Sequence, residues 1–136
     1  MKYLSKDGLS KEQFNRQATA YAKSVPHSSS ESLEIIRKLA AERRYDRALD
    51  IATGPGFTAF EISPFCEEVV ASDIAEEMLL QVKILAKSKA ITNITTIMAE
   101  ASSLPFEDES FDLVTCRTAP HHFPNIRLFL NEVNRI

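Results

Sequence analysis

The stretch ALDIATGPG, residues 48–56, decides the fold of this chain. It opens as a short apolar run, typical of a buried strand, and it ends in a loop that contains Gly54 and Gly56. A segment with helical spacing follows. Glycine lets the backbone turn sharply and lets a ligand lie against it without meeting a Cβ atom. This order of strand, glycine loop and helix is typical of a nucleotide site in a parallel sheet, although a purely structural turn has the same composition.

Strands and helices alternate along the rest of the chain. The predicted strands are residues 48–52, 68–72, 94–98 and 111–115, and the predicted helices are residues 11–24, 28 to about 44, 57–62, 75–89 and 126–135. Such alternation predicts an α/β fold, with a parallel sheet flanked by crossover helices. We divide the chain into an N-terminal leader helix, residues 1–27, and a Rossmann-like domain, residues 28–136.

The composition is that of one globular domain, with 136 residues of which 44% are hydrophobic and 26% are charged. The net charge of -3 predicts that nucleic acid is not a partner, because phosphate binding needs a basic face. The first residues lack the apolar core of a secretory signal, and no run of about 18 apolar residues exists to span a bilayer. Cys66 and Cys116 are far apart, so we expect a reduced, cytoplasmic protein.

Asp50 lies inside the first apolar strand, where a buried carboxylate is costly unless hydrogen-bond donors surround it. The loop after it also matches the G-x-G-x-x-G/A fingerprint of dinucleotide sites through Gly54, Gly56 and Ala59. A carboxylate at this place would repel a pyrophosphate. It would suit the sulfonium and ammonium groups of S-adenosylmethionine (SAM), and it could also tie down the loop amides.

Asp73 is the second acidic residue at a strand end, and it follows the second predicted strand. An acid at this place can accept hydrogen bonds from both ribose hydroxyls of a nucleoside. SAM and NAD both carry such a ribose, so Asp73 supports a nucleoside site without choosing between them. The alternative is an N-cap for the helix 75–89, because Asp is a favoured capping residue.

Four segments, in this order, resemble the class I SAM-dependent methyltransferases, and most closely the branch that includes the quinone-biosynthesis C-methyltransferases. They are ALDIATGPG (48–56), VVASDIAEEML (69–79), AEASSLPF (99–106) and SFDLVTCR (110–117), the last followed by HHF (121–123). The leader FNRQATAY (14–21) also resembles the helix before the core in that branch. The resemblance implies a Rossmann-like parallel sheet of order 3-2-1-4 and methyl transfer from SAM to a small-molecule acceptor.

The resemblance also implies how the cofactor would lie. The two glycines of the loop would pass under the methionine part of SAM, Asp50 would orient its amino end, and Asp73 would hold the ribose. Ala52 stands where many members of the family have glycine. Residues after the fourth strand would line the methionine and the transferred methyl group. The residues implied in cofactor binding are Asp50, Ala52, Thr53, Gly54, Gly56, Asp73, Ile74, Met78, Glu100, Ala101, Thr115 and Arg117.

The adenine end of the cofactor would be held by residues after the second and third strands. By resemblance, Ile74 would lie against the ring, and the Ala101 amide would meet a ring nitrogen. Glu100 stands where the family often has an Asp for the adenine amino group, and its extra methylene would shift this contact.

Catalytic residues are not evident from the sequence, although His121 and His122 are candidates for proton transfer at the border of the substrate pocket. An exposed loop pair is the alternative, and without a third ligand at sensible spacing we expect no metal site. The family usually continues past residue 136 into further strands, and those C-terminal strands are absent here. The open edge of the fourth strand would then allow a homodimer. A truncated, non-catalytic SAM-binding module or fragment and an NAD-type dinucleotide-binding protein are the alternative functions.

Overall fold

The computed structural model describes residues 31–117 and 123–136, where strands and helices alternate. The strands are β1 (Tyr45–Asp50), β2 (Cys66–Asp73), β3 (Ile94–Met98) and β4 (Leu113–Thr115), and the α-helices are α1 (Glu31–Ala40), α2 (Phe57–Ile62), α3 (Glu76–Ser88) and α4 (Ile126–Arg135). A 3₁₀ turn, Ser63–Phe65, joins α2 to β2. None of these helices has the length and apolar character needed to cross a bilayer. The leader helix predicted for residues 1–27 and the pair His121 and His122 lie outside the described residues.

The four strands form one parallel sheet in the order β3-β2-β1-β4, which confirms the predicted Rossmann-like order. The chain adds β2 and β3 on one side of β1 and then crosses back to place β4 on the other side. The direction of winding therefore reverses between β1 and β4. In open α/β sheets the ligand crevice lies outside the carboxyl ends of the strands at such a reversal.

Alternating side chains of the central strands bury two separate cores, one on each face of the sheet. Ala48, Val69 and Ala71 pack against α1, α2 and α3, whereas Leu49 and Val70 pack against α4 and the segment between β3 and β4. The helices contribute Ala40, Phe60, Ile62, Val82 and Ala86 to the first core, and the second core also contains Leu104, Phe129 and Ile136. Helices α1, α2 and α3 thus cover one face of the sheet, and α4 together with the segment between β3 and β4 covers the other.

Helix α1 ends at Ala40, four residues before the predicted end near Arg44. The sequence after Ala40 consists of good helix formers, but the chain must turn so that Tyr45 can begin β1. Arg44 fixes this turn, because its Nη1 donates to the carbonyl oxygen of Pro64 at 2.7 Å. Leu39, which the spacing places on the buried stripe, is instead 59% exposed. Tertiary contacts have overridden the local helix preference here.

Strand β1 occupies residues 45–50 rather than the predicted 48–52. Polar residues can enter the strand at its start because the Asp112 carboxylate accepts from the amides of Asp46 and Arg47 at 2.8 and 2.9 Å. At the other end, Ala52 adopts a φ of 53°, which no extended strand can include. Strand β4 likewise begins at Leu113 and not at residue 111, because Asp112 serves as this side-chain partner of β1.

Helix α3 ends in a left-handed residue that is not a glycine. Ala90 has a φ of 56°, and its amide donates to the carbonyl oxygen of Lys87 at 3.2 Å. The amide of Ile91 donates to the carbonyl oxygen of Ala86 at 2.9 Å. These two bonds form a Schellman motif, in which glycine usually occupies the left-handed position. An L-residue in this conformation costs about 1–2 kcal/mol.

We predict that Ala90→Gly raises the free energy of unfolding by roughly 0.5–1 kcal/mol. The relief of backbone strain exceeds the extra entropy that glycine gives the unfolded chain. Lys83→Gly, at an exposed position inside the same helix, should lower it by about 1 kcal/mol. Urea denaturation of both variants measures these changes. Destabilisation by Ala90→Gly would contradict the strain argument.

Candidate functional site

The predicted site residues converge at the carboxyl edge of the sheet, where the winding reverses between β1 and β4. Asp50, Asp73 and Thr115 are the last residues of β1, β2 and β4. The loop of residues 51–56 leaves β1 between them, and the amide of Thr53 donates to the carbonyl oxygen of Ser72 at 2.9 Å. The glycine loop and both acids therefore belong to one cluster, as the sequence predicts.

Asp50 is 1% exposed and holds the loop to the neighbouring strand. Its Oδ2 accepts a hydrogen bond from the Thr53 hydroxyl at 2.7 Å, and its Oδ1 accepts one from the Thr115 hydroxyl at 2.7 Å. Burial raises the pKa of Asp50 to about 6, although the two hydroxyls and the nearby Arg117 act to lower it. The amides of Thr53, Gly54 and Gly56 donate to other acceptors, namely the carbonyl oxygen of Ser72, the carboxylate of Asp73 and the carbonyl oxygen of Thr53.

Asp73 holds the loop amide instead, and it joins three segments of backbone. Its Oδ2 accepts from the amide of Gly54 at 2.8 Å, and its Oδ1 accepts from the amide of Ala75 at 2.9 Å. Its carbonyl oxygen accepts from the amide of Ala99, just after β3, at 3.1 Å. Burial raises the pKa of Asp73, against the lowering effect of the amides. Ala75, and not Asp73, occupies the N-cap position of α3.

The loop backbone is left-handed at Ala52, Gly54 and Gly56, with φ of 53°, 57° and 96°. A Cβ added to Gly54 would meet no heavy atom within 4 Å, so the backbone there borders open space. A Cβ on Gly56 would lie 3.0 Å from the Phe60 ring and 3.1 Å from Val82, so this glycine is needed for packing against α2 and α3. The φ of Ala52 is one that glycine adopts at lower cost than alanine.

Arg117 places a cation near Asp50. Its Nε donates to the hydroxyl oxygen of Thr58, a residue of α2 that is 3% exposed, at 2.9 Å. Burial lowers the pKa of Arg117, and the charge of Asp50 raises it. The carboxylates of Asp50 and Asp73 and the guanidinium of Arg117 thus lie at the edge of the sheet that carries the glycine loop.

The residues predicted for the adenine end follow β2 and β3. Ile74 and Ala101 are half-buried, Glu100 is exposed, and Met78 is buried at 3% exposure. Glu100 and Ser103 form an isolated bridge, closed by the amide of Ser103 donating to the carbonyl oxygen of Glu100 at 3.1 Å. The structure thus brings Ile74, Glu100 and Ala101 to the same edge as Asp73, whereas protein atoms already cover nearly all of Met78.

The profile of the methyltransferase domain family matches residues 49–136, a span that runs from the end of β1 to the end of α4. The chain belongs to this family. The predicted membership of the class I SAM-dependent methyltransferases is thereby confirmed. The glycine loop, both strand-end acids and the segment before β4 all lie inside the matched span.

Relatives of this methyltransferase domain include the uncharacterized methyltransferase YcgJ of Bacillus subtilis, which is 37% identical over 123 residues, 90% of this chain and 49% of that protein. The crystal structure of YcgJ superposes on this chain with a TM-score of 0.74. The superposed part is 79% of this chain and 46% of the YcgJ chain. A demethylmenaquinone methyltransferase of Porphyromonas gingivalis is 37% identical over 92 residues, 65% of this chain and 38% of that protein. A SAM-dependent methyltransferase from Aquifex aeolicus shares the fold. It has 21% identity and a TM-score of 0.74, and the superposed part is 87% of this chain and 65% of that chain. The chain spans about half the length of YcgJ.

Sequence reasoning did not single out Thr58 as a member of this cluster. Its hydroxyl is the acceptor for Arg117, and it lies in the first turn of α2. The available signal was a hydroxyl residue in the otherwise apolar start of a helix directly after the glycine loop. The sequence could not show that Arg117, 59 residues later, would be its partner.

Cys116 follows Thr115 but lacks the character of a nucleophile. Burial raises the pKa of its thiol to about 12, and the charges of Asp50 and Asp73 act in the same direction. The thiolate is therefore strongly disfavoured. Among residues 31–117 and 123–136, no group of three His, Cys, Asp or Glu side chains is placed to hold a metal ion.

We predict that the stability difference between Asp50→Asn and the wild type depends on pH. Because folding raises the pKa of Asp50 from 3.8 to about 6, its stabilising effect is complete below the lower value and is lost as the pH rises through the higher one. The wild type should therefore lose about 2–3 kcal/mol relative to Asp50→Asn between about pH 4 and pH 7. Urea denaturation at both pH values measures this difference, and an unchanged difference would contradict the raised pKa.

Asp112→Asn serves as a control, because its stability relative to the wild type should change with pH in the opposite direction. Partial burial tends to raise the pKa of Asp112, but the amides of Asp46 and Arg47, its own amide and the charge of Arg43 together outweigh burial, and the net shift of the pKa is downward. The stability that Asp112 supplies is therefore present at neutral pH and is lost as the pH falls. The deficit of Asp112→Asn relative to the wild type should be largest near pH 7 and should narrow in acid.

Proposed function

We propose that the chain binds SAM at the carboxyl edge of its sheet and is the cofactor-binding half of an enzyme that methylates a small-molecule acceptor. The observation that carries the proposal is the glycine loop, which lies between two buried acids and has open space beside Gly54. SAM supplies a methyl group on a sulfonium, which is already an activated leaving group. The task of the protein is then mainly to position the acceptor.

The methionine end of SAM would lie over the loop. Ala52, Gly54 and Gly56 offer backbone there, and only Gly54 borders open space in the direction of a side chain. Asp50 is nearly inaccessible, so we assign it an indirect role. It would orient the hydroxyls of Thr53 and Thr115 and would favour a cation by its charge.

Arg117 belongs to the same end of the proposed cofactor site. The methionine carboxylate needs a positive partner, and the guanidinium near Asp50 has that charge. His121 and His122 stay the candidates for proton transfer to or from the acceptor.

The nucleoside end would lie beside Asp73 and the residues after β3. A carboxylate offers about four acceptor sites. The amides of Gly54, Ala75 and Ile74 interact with three of them, which leaves capacity for a ribose hydroxyl. Ile74 would border the adenine, and the groups proposed for its hydrogen bonds are Glu100 and the amide of Ala101.

A dinucleotide fits this charge distribution less well than SAM does. Asp50 is buried at the start of the loop that a pyrophosphate would have to approach, and its Oδ2 accepts from the Thr53 hydroxyl of that loop. In a dinucleotide site the loop amides and the helix N-terminus bind phosphate, and a buried carboxylate at that point opposes the ligand electrostatically. We therefore expect NADH not to bind.

The remaining parts of the proposal concern partners and location. A small molecule is proposed as the acceptor, because the net charge of -3 is unfavourable for nucleic acid. Strand β4 pairs only with β1 among the described residues, so its other edge could pair with a second copy of the chain. A cytoplasmic location agrees with two free cysteines, Cys66 and Cys116.

Calorimetric titration of the 1–136 chain with SAM, S-adenosylhomocysteine and NADH tests the function. We expect micromolar binding of the first two ligands and none of the third. Binding of NADH without binding of SAM would show that the ligand is a dinucleotide. A folded chain that binds none of the three would contradict the proposed cofactor site.

Gly54→Asn tests where the cofactor lies. Asparagine tolerates the left-handed conformation better than other L-residues do, so the fold should be kept while its side chain enters the open space. We expect SAM affinity to fall by about tenfold or more, because the added amide group displaces the ligand from the backbone. Ala90→Asn makes the same kind of change at a left-handed position away from the site, and its SAM affinity should equal that of the wild type. Unchanged affinity of Gly54→Asn would exclude this loop as the contact.

A further inference from the structure

The segment between β3 and β4, residues 99–112, contains no helix, so its backbone groups need other partners. It begins at the candidate site, where the amide of Ala99 donates to the carbonyl oxygen of Asp73. After the turn closed by Glu100 and Ser103, Leu104 enters the core with 5% exposure. Both the start and the end of this turn are therefore fixed.

Two side chains of α4 hold the end of the turn. The Glu132 Oε2 accepts from the amide of Leu104 at 2.8 Å, and the Arg135 Nη2 donates to the carbonyl oxygen of the same residue at 3.0 Å. The Arg135 Nη1 donates to the carbonyl oxygen of Phe106 at 2.6 Å. Both polar backbone groups of Leu104 are thus paired with one pair of side chains.

Glu132 and Arg135 also bind each other through both carboxylate oxygens. The Arg135 Nε lies 3.0 Å from Oε1, and the Nη2 lies 2.9 Å from Oε2. Such a two-point pair fixes the plane of the guanidinium, which a lysine ammonium cannot reproduce. Arg135 holds the pKa of Glu132 below its usual range, first through these hydrogen bonds. The pair therefore stays charged and oriented at neutral pH.

We propose that Glu132 and Arg135 are positioning residues for the adenine end of the cofactor site. They fix Leu104, and the bond from Ala99 to Asp73 fixes the other end of the turn that carries Glu100 and Ala101. The two proposed adenine contacts thus have a set distance from the residue proposed for the ribose. This inference rests on the proposed binding of SAM and extends it to a pair of residues in α4 that touches no ligand.

Arg135→Lys tests the inference, with S-adenosylhomocysteine and S-inosylhomocysteine as probes. The second probe carries an oxo group in place of the adenine amino group and a hydrogen on ring atom N1, so it loses the contact assigned to Glu100 and any bond from the Ala101 amide to N1. The wild type should prefer the adenine compound by roughly three- to tenfold for each hydrogen bond lost. In Arg135→Lys the ratio of the two Kd values should fall towards one. A merely structural loss would weaken both probes equally and leave the ratio unchanged.

Arg127→Lys, at an exposed position of the same helix, is the matched control and should keep the wild-type ratio. Glu132→Gln keeps an acceptor for the Leu104 amide but removes the ion pair, and it should give an intermediate ratio. Amide hydrogen exchange at Leu104 shows whether the turn has been released. We expect faster exchange in Arg135→Lys.

Each result decides one assignment. If the wild type binds neither probe, the proposed function fails and takes this inference with it. If the wild type binds both probes equally, the adenine contacts are wrong and the pair positions nothing for recognition. If the wild type prefers the adenine compound and Arg135→Lys prefers it equally, this inference alone is overturned. That conclusion holds whether or not amide hydrogen exchange at Leu104 becomes faster.

Discussion

Asp50 carries an ionisable group to the end of a central strand, where only 1% of the residue is exposed. A carboxylate in such a place must find hydrogen-bond donors within the protein. One donor, Thr53, comes from the loop that follows β1, and the other, Thr115, comes from the end of β4. The shape of the loop and the position of β4 are therefore coupled through one side chain. Much of the candidate site depends on this coupling, because it lies where the winding of the sheet reverses.

The second acid completes the arrangement by binding backbone rather than side chains. Asp73 holds the amides of Gly54 and Ala75 and, through its carbonyl oxygen, the amide of Ala99. The three segments that border the site are thus joined at a single residue before any ligand is present. Preorganisation of this kind lowers the ordering cost of binding. The two acids have different roles. Asp50 orients two hydroxyl groups and supplies a buried charge, whereas Asp73 fixes the course of the main chain.

Much of this architecture could be predicted from the sequence because its signals are local. The apolar run before two glycines indicates a strand and a loop, and Asp73 is recognisable by its place after the next strand. The order of the sheet followed from the family resemblance. The sequence did not indicate that α1 stops at Ala40, because the end of this helix depends on contacts with residues far along the chain. The roles of Thr58 and Arg135 were missed for the same reason, since their partners are far away along the chain.

The pairing of β4 with β1 also affects how the site forms and how readily it opens. The bond between Thr115 and Asp50 spans 65 residues, whereas Arg47 reaches Glu68 on β2 across only 21. Closing the longer loop costs about 1 kcal/mol more in chain entropy. Strand β4 is also short, with three residues and no buried side chain. Elements with few buried contacts open at lower free energy than the core. We therefore expect the segment that supplies Thr115 and leads to Arg117 to open more readily than β1 and β2, and its opening would separate the Thr115 hydroxyl from Asp50.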